Sequence, residues 1–398
     1  MTDSTIDYNE QTQCISQNFT INYNYPIFFT QDIFNINNPL LKNIMDCNGE
    51  QIVSLMFVID QNVVDATPQL QADIANYFAD LSHVKLLSTP LLIKGGESAK
   101  NDPELLQLLY RAVVDLKVDR QTRIIVIGGG AILDFVGYVA ATAHRGIKLI
   151  RLPTTVLAQN DAGIGVKNGI NLLGRKNFLG TFTPPDAVVC DFSFLQTLSE
   201  RDRRAGMAEA IKVSLIRDAE FFYWLEDHCD ALTQFELSAI SYSIMHCAKL
   251  HGIQIVSGND PFEKGNARPL DYGHWLAHKL EDLSGYSIRH GEAVAIGMLL
   301  DAHYALTINL LDKTTFNRVQ NLLQNFGYIL WYEDLNLKDE MGRVAVLNGL
   351  SEFREHLGGE LSITLLTGIG EAIEVHEIDE ALMLQSLVWL KKTYETIQ

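Results

Sequence analysis

One stretch of the chain limits the possible folds more than any other: the apolar run Arg123–Ile127 leads directly into Gly128-Gly129-Gly130. The residues that follow, Ile132 to Thr142, have the apolar spacing of a helix. A short, near-continuous apolar run is typical of a strand buried on both faces of a parallel sheet. The glycines allow backbone N–H groups at the start of the helix to approach a pyrophosphate. Three glycines also suit a tight strand-to-helix turn, so the motif alone leaves both interpretations open.

The same alternation of strand and helix recurs through the first half of the chain. Strands are predicted at Phe19–Phe29 (an extended pair interrupted by Pro26), Ile52–Asp60, Pro90–Lys94 and Ala187–Cys190, with helices at Leu70–Leu81 and Leu105–Leu116. Long helices then dominate, at Arg203–Ile216, Phe221–Leu232, Glu236–Val256, Trp275–Leu283 and Glu292–Leu311, before an extended segment, Leu361–Leu366, and a terminal helix. The sequence therefore predicts an α/β fold, with an N-terminal Rossmann-like parallel-sheet domain over residues 1–195 and a mainly α-helical domain over residues 196–398.

The composition narrows the classes of partner. A length of 398 residues suits two domains, and the formal net charge of −18 argues against nucleic acid or an anionic membrane as the main partner. The five cysteines are scattered and form no C-x-x-C pair, which argues against a disulfide framework and a thiolate metal site. The polar N-terminus shows no signal peptide, and no apolar run has membrane-spanning length. We therefore expect a cytoplasmic protein that acts on a small molecule.

The charge reverses locally between His144 and Gly180. Six cationic residues there accompany a single acidic residue, Asp161: they are Arg145, Lys148, Arg151, Lys167, Arg175 and Lys176. A solvated basic face is one interpretation. Because glycines and hydroxyl residues are interspersed among the charges, we favour an anion pocket.

A second glycine-rich turn, Gly95-Gly96-Glu97-Ser98-Ala99-Lys100, follows another predicted strand. Ligands of open α/β sheets bind at the carboxyl ends of strands, so the two glycine turns are expected to line one crevice. Asp60 ends an earlier strand, where it can hold a ribose hydroxyl or cap the next helix. The G-x-G-x-x-G fingerprint is absent, and Gly163-Ile164-Gly165 follows no clear strand. Together these features favour a dinucleotide site over structural turns alone.

Histidines cluster in the second half of the chain. His274 and His278 are four residues apart, so they share one face of a helix, and His290 follows after a short connection. Partly buried histidines bonded to the backbone are the simpler interpretation for each one alone. Glu209, three residues before Lys212 on a predicted buried helix, is either half of an ion pair or a metal ligand. Glu209 with His274 and His290 would form a Glu-His-His set of the kind used in catalytic zinc sites.

Six ordered motifs carry a resemblance to a known family. They are GGGAILDFVG, RLPTTVLAQNDAGIGVKNGIN, GRKNFLGTF, AGMAEAIK, DYGHWLAH and RHGEAVAIGM. In this order and spacing they resemble 3-dehydroquinate synthase and the related sugar phosphate cyclases, from about Asp60 to Met298 and more faintly to the C-terminus. The resemblance implies the two-domain fold of that family and a sugar phosphate as substrate.

The resemblance also implies cofactors and roles for individual residues. A divalent metal, zinc or cobalt, would bind Glu209, His274 and His290. NAD would contact Gly95, Glu97, Lys100, Gly129, Gly130, Asp134, Thr154, Thr155, Lys176 and Thr197, to which the strand-end position of Asp60 adds a further candidate. Asp161 and Lys212 match residues beside the reacting carbons and metal, whereas Lys167, Asn177 and His278 match positions around the substrate and its phosphate. Arg145 matches an arginine that reaches the neighbouring subunit's phosphate pocket, which implies a homodimer.

The implied reaction is a redox-neutral cyclisation. NAD⁺ takes hydride from a metal-polarised alcohol while His278 accepts the proton, phosphate leaves by β-elimination, NADH returns the hydride, and an aldol step closes the ring. The same metal serves the oxidation and the aldol step. NAD is therefore regenerated in each turnover.

The chain departs from 3-dehydroquinate synthase in the predicted substrate pocket. Asp271 stands where the family has asparagine, His251 aligns with a carboxylate-binding lysine, and Phe353–His356 replaces a late Asp-Lys-Lys motif. Arg268 lies near a second carboxylate-binding position, and His356 near the phosphate. Losing a cation and gaining an anion weakens a carboxylate site.

These changes resemble the cyclases that convert sedoheptulose 7-phosphate to valiolone-type cyclitols, which we therefore favour. The alternative is 3-dehydroquinate synthase acting on 3-deoxy-arabino-heptulosonate 7-phosphate. A remoter alternative is a polyol dehydrogenase of the glycerol or iron-dependent alcohol dehydrogenase type, which shares the two-domain plan.

Overall fold

The computed structural model describes residues 5–9, 14–45, 52–257, 269–356 and 361–395. Its strands are β1 (Thr5–Asn9), β2 (Cys14–Asn18), β3 (Ile27–Thr30), β4 (Val53–Asp60), β5 (Val84–Leu86), β6 (Leu91–Ile93), β7 (Arg123–Gly128), β8 (Lys148–Pro153), β9 (Lys167–Leu172), β10 (Arg175–Phe182), β11 (Ala187–Asp191), β12 (Ile363–Gly368) and β13 (Glu371–Val375). Its α-helices are α1 (Leu40–Met45), α2 (Gln61–Ala66), α3 (Leu70–Phe78), α4 (Pro103–Asp115), α5 (Gly130–Thr142), α6 (Glu200–Arg217), α7 (Ala219–Asp227), α8 (Cys229–Thr233), α9 (Leu237–Ser257), α10 (His274–Leu283), α11 (His290–Thr307), α12 (Lys313–Asn325), α13 (Asn348–His356) and α14 (Glu380–Tyr394).

Seven strands form one parallel sheet in the order β3-β11-β8-β7-β4-β5, with β6 paired to the second half of β4. Helices follow as the main element after β11. The predicted α/β class is therefore confirmed, with a Rossmann-like parallel sheet first and a mainly helical part second. The division at residue 195 stays a prediction.

The central strands are buried on both faces, as their apolar runs predict. Phe57 of β4 and Ile125 of β7 belong to one apolar cluster, whereas their neighbours Met56 and Ile124 belong to another. Because side chains alternate along a strand, each run supplies both cores. Helices α1 to α3 contribute to the first cluster and α4 and α5 to the second. The parallel arrangement brings the carboxyl ends of β4, β6, β7 and β8 to one edge.

Two predicted elements are wrong in extent. Within Phe19–Phe29, the strand begins only at Ile27, after Pro26, which has no N–H group to donate to a sheet. The predicted helix Phe221–Leu232 divides into α7 and α8 at His228, whose ψ of 14° leaves the helical region. The His228 ring stacks on Trp224 with centroids 4.3 Å apart. The other predicted strands and helices named above agree with the structure, apart from shifts of a few residues at their ends.

Seven strands were not predicted: β1, β2, β5, β8, β9, β10 and β13. Strands β9 and β10 form an antiparallel hairpin whose turn residues, Leu173 and Gly174, have φ values of 54° and 72°. A two-residue turn of this kind usually carries Asn-Gly or Asp-Gly. The sequence does not predict this hairpin, because a bulky residue such as leucine rarely adopts a positive φ.

Two of the six cations of the basic stretch, Arg151 and Arg175, do not join one anion pocket, and the pocket itself stays a prediction. Arg151 is fully buried and structural. It donates to four acceptors: the carbonyl oxygens of Gly163, Gly165 and Lys167, at 3.2, 2.6 and 3.0 Å, and Oδ1 of Asn168, at 2.6 Å. Arg175 is exposed, 3.8 Å from Glu355. The Gly163–Gly165 segment therefore binds an arginine rather than opening a strand-to-helix phosphate turn.

The helical part is built around α11, in which every residue from Gly291 to Ala302 is buried. A helix that is buried on all sides belongs to the centre of a core, and its apolar residues join those of α6, α9, α10, α12 and α14 in one cluster. Two acidic residues, Glu292 and Asp301, are buried with them. Among the described residues, no helix has the length and apolarity needed to cross a membrane.

Candidate active site

A carboxylate and two imidazoles converge where α6, α10 and α11 meet. Nε2 of His274 and Nε2 of His290 each lie 3.7 Å from Oε1 of Glu209. Oε1 is buried and has no hydrogen-bond partner within the described part of the chain. Leaving a buried carboxylate oxygen unpaired costs free energy, and a cation held by the three groups would remove that cost. The predicted ligands thus lie together, and the set fits a divalent metal with room for a further ligand.

Each histidine of this set is oriented through its other ring nitrogen. Nδ1 of His274 lies 3.0 Å from the carbonyl oxygen of Tyr272, and Nδ1 of His290 lies 3.0 Å from Oε2 of Glu281. Both partners accept, so Nδ1 carries the hydrogen and Nε2 presents a lone pair to the site. Burial, followed by the charge of Lys212, holds the pKa of His274 well below its usual value. The neutral, ligating form of His274 is therefore favoured.

Close backbone approaches bring the three helices together. A Cβ atom on Gly291, which follows His290, would lie 1.8 Å from the carbonyl oxygen of Ala205 on α6. A Cβ atom on Gly297 would lie 2.0 Å from the carbonyl oxygen of Gly273, at the start of α10. Gly273 has a φ of 76°, which favours glycine. These glycines let α11 touch both α6 and α10, so the predicted ligands from three helices reach one point.

Lys212 lies beside the ligands and is surrounded by carboxylates. It is buried and forms an ion pair with Oε2 of Glu209. Burial lowers the pKa of Lys212, but Glu209, Asp161 and Asp271 outweigh it and raise the pKa above its usual value. Nδ1 of His251 lies 2.7 Å from Oδ1 of Asp161. Burial raises the pKa of Asp161, yet His251 and Lys212 help to hold it well below the usual range.

One ion pair joins the hairpin to the ligand set. Nζ of Lys176, on β10, lies 3.1 Å from both carboxylate oxygens of Glu281, on α10. Glu281 in turn bonds to His290. Burial raises the pKa of Glu281, but His290 and Lys176 hold it well below its usual value, so the carboxylate is ionised. A predicted cofactor residue therefore lies one contact away from a predicted metal ligand.

The predicted cofactor residues at the strand ends lie side by side. Asp60 accepts a hydrogen bond from the N–H of Asn62 at 2.9 Å and so caps α2, which was one of its two predicted roles. A Cβ atom on Gly95 would lie 2.0 Å from Oδ2 of Asp60. Gly129 is the N-cap residue of α5 and provides no side-chain cap, and a Cβ atom there would lie 3.4 Å from Thr155. This edge thus offers uncapped helical N–H groups, which suit a phosphate.

A buried lysine connects further predicted cofactor and substrate residues. Nζ of Lys100 lies 2.9 Å from Oδ2 of Asp134 and donates to Oδ1 of Asn177. Glu97 lies 3.9 Å from the same ammonium group and accepts from Nδ2 of Asn171 at 3.1 Å. The turn after β6, helix α5 and the hairpin therefore meet in one polar network.

His278 and Lys167 lie at the margin of the site. The exposed His278 ring has its centroid 5.4 Å from that of His274 and 6.0 Å from that of His290. Lys167 begins β9, and its charge helps to lower the pKa of Asp161. Both predicted residues thus face the region next to the ligand set.

Other predicted cofactor residues line the sheet edge and the loop after β11. Thr154 is buried, and its N–H donates to the carbonyl oxygen of Gly128 at 3.0 Å. A Cβ atom on Gly130 would lie 3.0 Å from that of Ala162. Thr197 is exposed at the end of a 3₁₀ turn.

For three predicted substrate residues, the described part of the chain shows no contact that tests the predicted role. Arg145 is exposed on the turn after α5, with a φ of 64°. Arg268 lies outside the described residues, and His356 ends α13 with its side chain also outside them. Their predicted roles stay predictions.

Sequence reasoning missed Glu281 and Asp301. Glu281 follows His274 by seven residues, which places both on the same face of α10, so its spacing was an available signal. Asp301 lies eleven residues after His290 on an apolar helix, and only the packing of α10 on α11 shows what it contacts. The described cysteines Cys14, Cys190, Cys229 and Cys247 are free, in agreement with the predicted lack of a disulfide framework.

Two family models match consecutive parts of the chain. The model of the 3-dehydroquinate synthase N-terminal domain matches residues 90–205, and that of the C-terminal domain matches residues 206–346. They meet within α6, so the first model includes the carboxyl ends of β6, β7 and β8, and the second includes all three predicted metal ligands.

Whole-chain comparisons agree with the models. The 3-dehydroquinate synthase of Nitrosospira multiformis is 36% identical over 310 residues, which cover 78% of this chain and 82% of that protein. The 3-dehydroquinate synthase of Shewanella frigidimarina is 31% identical, with 91% and 95% covered. The structure of ValA, the 2-epi-5-epi-valiolone synthase of Streptomyces hygroscopicus, solved with NAD⁺ and Zn²⁺ bound, superposes with a TM-score of 0.82, at 27% identity, covering 94% of this chain and 98% of ValA. The chain therefore belongs to the 3-dehydroquinate synthase family and is a sugar phosphate cyclase, a carbon–oxygen lyase that eliminates phosphate.

Proposed function

We propose that this enzyme converts sedoheptulose 7-phosphate to a valiolone-type cyclitol. One observation carries the proposal: Lys212 lies among three carboxylates, Glu209, Asp161 and Asp271. Asp271 adds a negative charge where the family has asparagine, and His251, which aligns with a lysine of the family, is bonded to Asp161. A substrate carboxylate would be repelled by this charge, whereas hydroxyl groups of a neutral sugar can donate hydrogen bonds to it. ValA, which is named for a product of this type, has a similar fold.

The proposal includes one divalent metal and NAD as cofactors. Glu209, His274 and His290 would hold the metal, which supplies Lewis acidity to a hydroxyl or carbonyl oxygen. The turns after β4, β6 and β7 and the N-terminus of α5 would hold NAD, which supplies a hydride acceptor that is regenerated in each turnover. The unpaired Oε1 of Glu209 and the paired Nδ1 atoms of both histidines support the metal assignment.

The residues around the ligand set would move protons and bind the phosphate. We assign to His278 the acceptance of the alcohol proton, because its exposed ring borders both ligand histidines. Lys212 and Asp161 would lie beside the reacting carbons. Lys167 and Asn177 would bind the phosphate, which leaves by β-elimination before an aldol step closes the ring. Arg268 and His356 would complete the substrate pocket.

A substrate comparison tests the proposal. The purified protein, supplied with NAD and Zn²⁺ or Co²⁺, is incubated separately with sedoheptulose 7-phosphate and 3-deoxy-arabino-heptulosonate 7-phosphate, and phosphate release is followed. We expect release from the first compound, with a cyclitol product by mass spectrometry. The Asp271→Asn variant should shift the preference toward the acid, because it removes one repulsive charge. Release from the acid alone would overturn the proposed substrate.

Formation of 3-dehydroquinate is the second candidate. The two relatives compared above favour it, because both are named 3-dehydroquinate synthase, at 36% and 31% identity. The same phosphate assay separates the two candidates. Net accumulation of NADH with a polyol would instead indicate a dehydrogenase, which the remoter alternative requires.

We further propose that the enzyme is a cytoplasmic homodimer. The hairpin exposes apolar side chains, with Leu173 84% and Phe178 51% exposed, and Arg145 projects from a separate exposed turn. Apolar surface of this kind is often covered in an assembly. Sedimentation equilibrium should show a dimer that Leu173→Asp weakens. A wild-type monomer at all concentrations would contradict the assignment.

A further inference from the structure

We propose that Asp301 is a positioning residue that sets the orientation of the ligand His274 from a neighbouring helix. Asp301 lies on α11 and is fully buried. Its Oδ2 accepts from the N–H of Gly273 at 3.2 Å, and its Oδ1 accepts from Nε1 of Trp275 at 2.9 Å. The two donors immediately precede and follow His274 in the chain. The inference rests on the proposed metal site and adds to it a residue that touches none of the ligand atoms.

The start of α10 needs such a partner. His274 is the first residue of the helix, and Gly273 before it provides no side-chain cap. Helix N-termini leave N–H groups without intrahelical partners, and a negative charge near them is stabilising. Asp301 accepts from the N–H of the N-cap residue Gly273, as the acidic residue of a capping box does, but it does so from α11.

A second contact, made by Tyr272, also attaches the start of α10 to α11. The hydroxyl of Tyr272 donates to the carbonyl oxygen of Met298 at 2.8 Å, and the carbonyl oxygen of Tyr272 lies 3.0 Å from Nδ1 of His274. The turn from Tyr272 to Trp275 is therefore held to α11 on both sides of the ligand. With the backbone and Nδ1 held, rotation of the imidazole away from Glu209 is restricted.

The cost of burying Asp301 argues that its contacts matter. Within the described residues, its hydrogen-bond donors are a backbone N–H and an indole N–H, both neutral. Burial raises the pKa of Asp301 to about 7, which shows how poorly the site accommodates a charge. An apolar side chain would suit the surrounding core better. Fixing the turn that carries His274 explains why a carboxyl group occupies this position.

Metal affinity separates positioning from simple stabilisation. Chelator-treated protein is titrated with Co²⁺, and the dissociation constant and the visible ligand-field spectrum of bound Co²⁺ are recorded. Asp301→Leu removes both acceptors, so we expect the dissociation constant to rise by about 10–100-fold, with a changed spectrum. Asp301→Asn keeps one acceptor for Trp275, so it should raise the dissociation constant for Co²⁺ less. Trp275→Phe, which removes only the indole donor, should also have a partial effect and carries the test if the leucine variant does not fold.

Tyr304→Phe is the matched control, because it deletes a hydrogen bond of the same helix, from the N–H of Asp379 at 3.0 Å. It should lower the melting temperature without changing Co²⁺ binding. If the Asp301 and Trp275 variants that fold bind Co²⁺ as the wild type does, Asp301 is only structural and the inference is overturned. If wild type and Glu209→Gln bind Co²⁺ equally, the proposed metal site fails, and this inference fails with it.

Discussion

At the scale of single residues, the site depends on which atoms lack a partner and which have one. Oε1 of Glu209 is buried and unpaired, whereas Nδ1 of both ligand histidines is paired. An isolated hydrogen-bonded cluster would satisfy its own buried oxygen, since unsatisfied buried polar atoms are rare. The pattern is therefore the one expected of a metal site.

Replacing Glu281 tests whether its bond to Nδ1 of His290 supports metal binding. Replacing it by glutamine keeps an acceptor for Nδ1 of His290 but removes the charge that Lys176 balances, so the histidine becomes a weaker ligand. We expect Glu281→Gln to weaken Zn²⁺ or Co²⁺ binding by about 10-fold or more, measured by calorimetry. Glu352→Gln, at an exposed carboxylate paired with Lys279, is the control and should change nothing. Equal affinities in the two variants would contradict the role of Glu281.

Asp218 provides a test of pH dependence away from the site. It caps α7 by accepting from the N–H of Phe221 at 3.0 Å, and it lies 2.9 Å from Nε2 of His246. Burial raises the pKa of Asp218, but these hydrogen bonds leave it below its usual value. A lowered folded-state pKa contributes stability above the unfolded value, near 3.8, which is lost as the pH falls through the folded value.

Asp218→Ala should therefore destabilise the protein by about 1 kcal/mol at neutral pH, the usual cost of replacing an N-cap aspartate by alanine. In urea unfolding, the difference from wild type should shrink as the pH falls below about 4. A difference that stays constant down to pH values near 3 would contradict this pKa direction.

At the scale of elements, the ligand set depends on how closely three helices approach. The predicted ligands come from α6, α10 and α11, and glycines occupy the points where a side chain would separate these helices. The hairpin adds Lys176 from the other half of the chain. Because each element contributes one or two groups, a small displacement of one helix separates the ligands.

Gly291→Ala measures this dependence. The added Cβ would lie 1.8 Å from the carbonyl oxygen of Ala205, so α11 must move away from α6. We expect a loss of about 1–3 kcal/mol in urea unfolding and a clear loss of metal affinity. Gly252→Ala, in α9, meets no atom within 4 Å and should be neutral or stabilising by up to about 1 kcal/mol. Unchanged metal binding in Gly291→Ala would show that the close approach is not needed.

At the scale of the whole molecule, the site joins the sheet half and the helical half. Lys100 and Lys176 come from the sheet half, and Glu281 and the three ligands come from the helical half. Groups that bind across such a junction stabilise the folded state by mass action. Both cofactors should therefore protect the entire chain against unfolding.

Thermal unfolding with each cofactor tests this expectation. At about 100 times its dissociation constant, each of Zn²⁺ and NAD should add about 2.7 kcal/mol of stability, seen as a rise in melting temperature. Glu209→Gln should lose most of the Zn²⁺ effect and keep the NAD effect. Loss of both effects in this variant would mean that the two sites are not separate.

Some of this protein could be determined from the sequence alone. The buried strands were visible because a strand covered on both faces is a near-continuous apolar run, as β7 is from Ile124 to Ile127. The ligand candidates Glu209, His274 and His290 were visible because residue type and ordered motifs limit which side chains can bind a metal. These properties are local, so they can be read without coordinates.

Only the tertiary structure decided how these parts are held. The pairs Glu281 with Lys176, Asp161 with His251, and Asp301 with Gly273 join residues far apart in the chain. The sequence predicts one anion pocket for the basic stretch, yet packing buries Arg151 among carbonyl oxygens and leaves Arg175 at the surface. Partners of this kind depend on the distances and angles at which helices and strands pack, and no local sequence pattern encodes them.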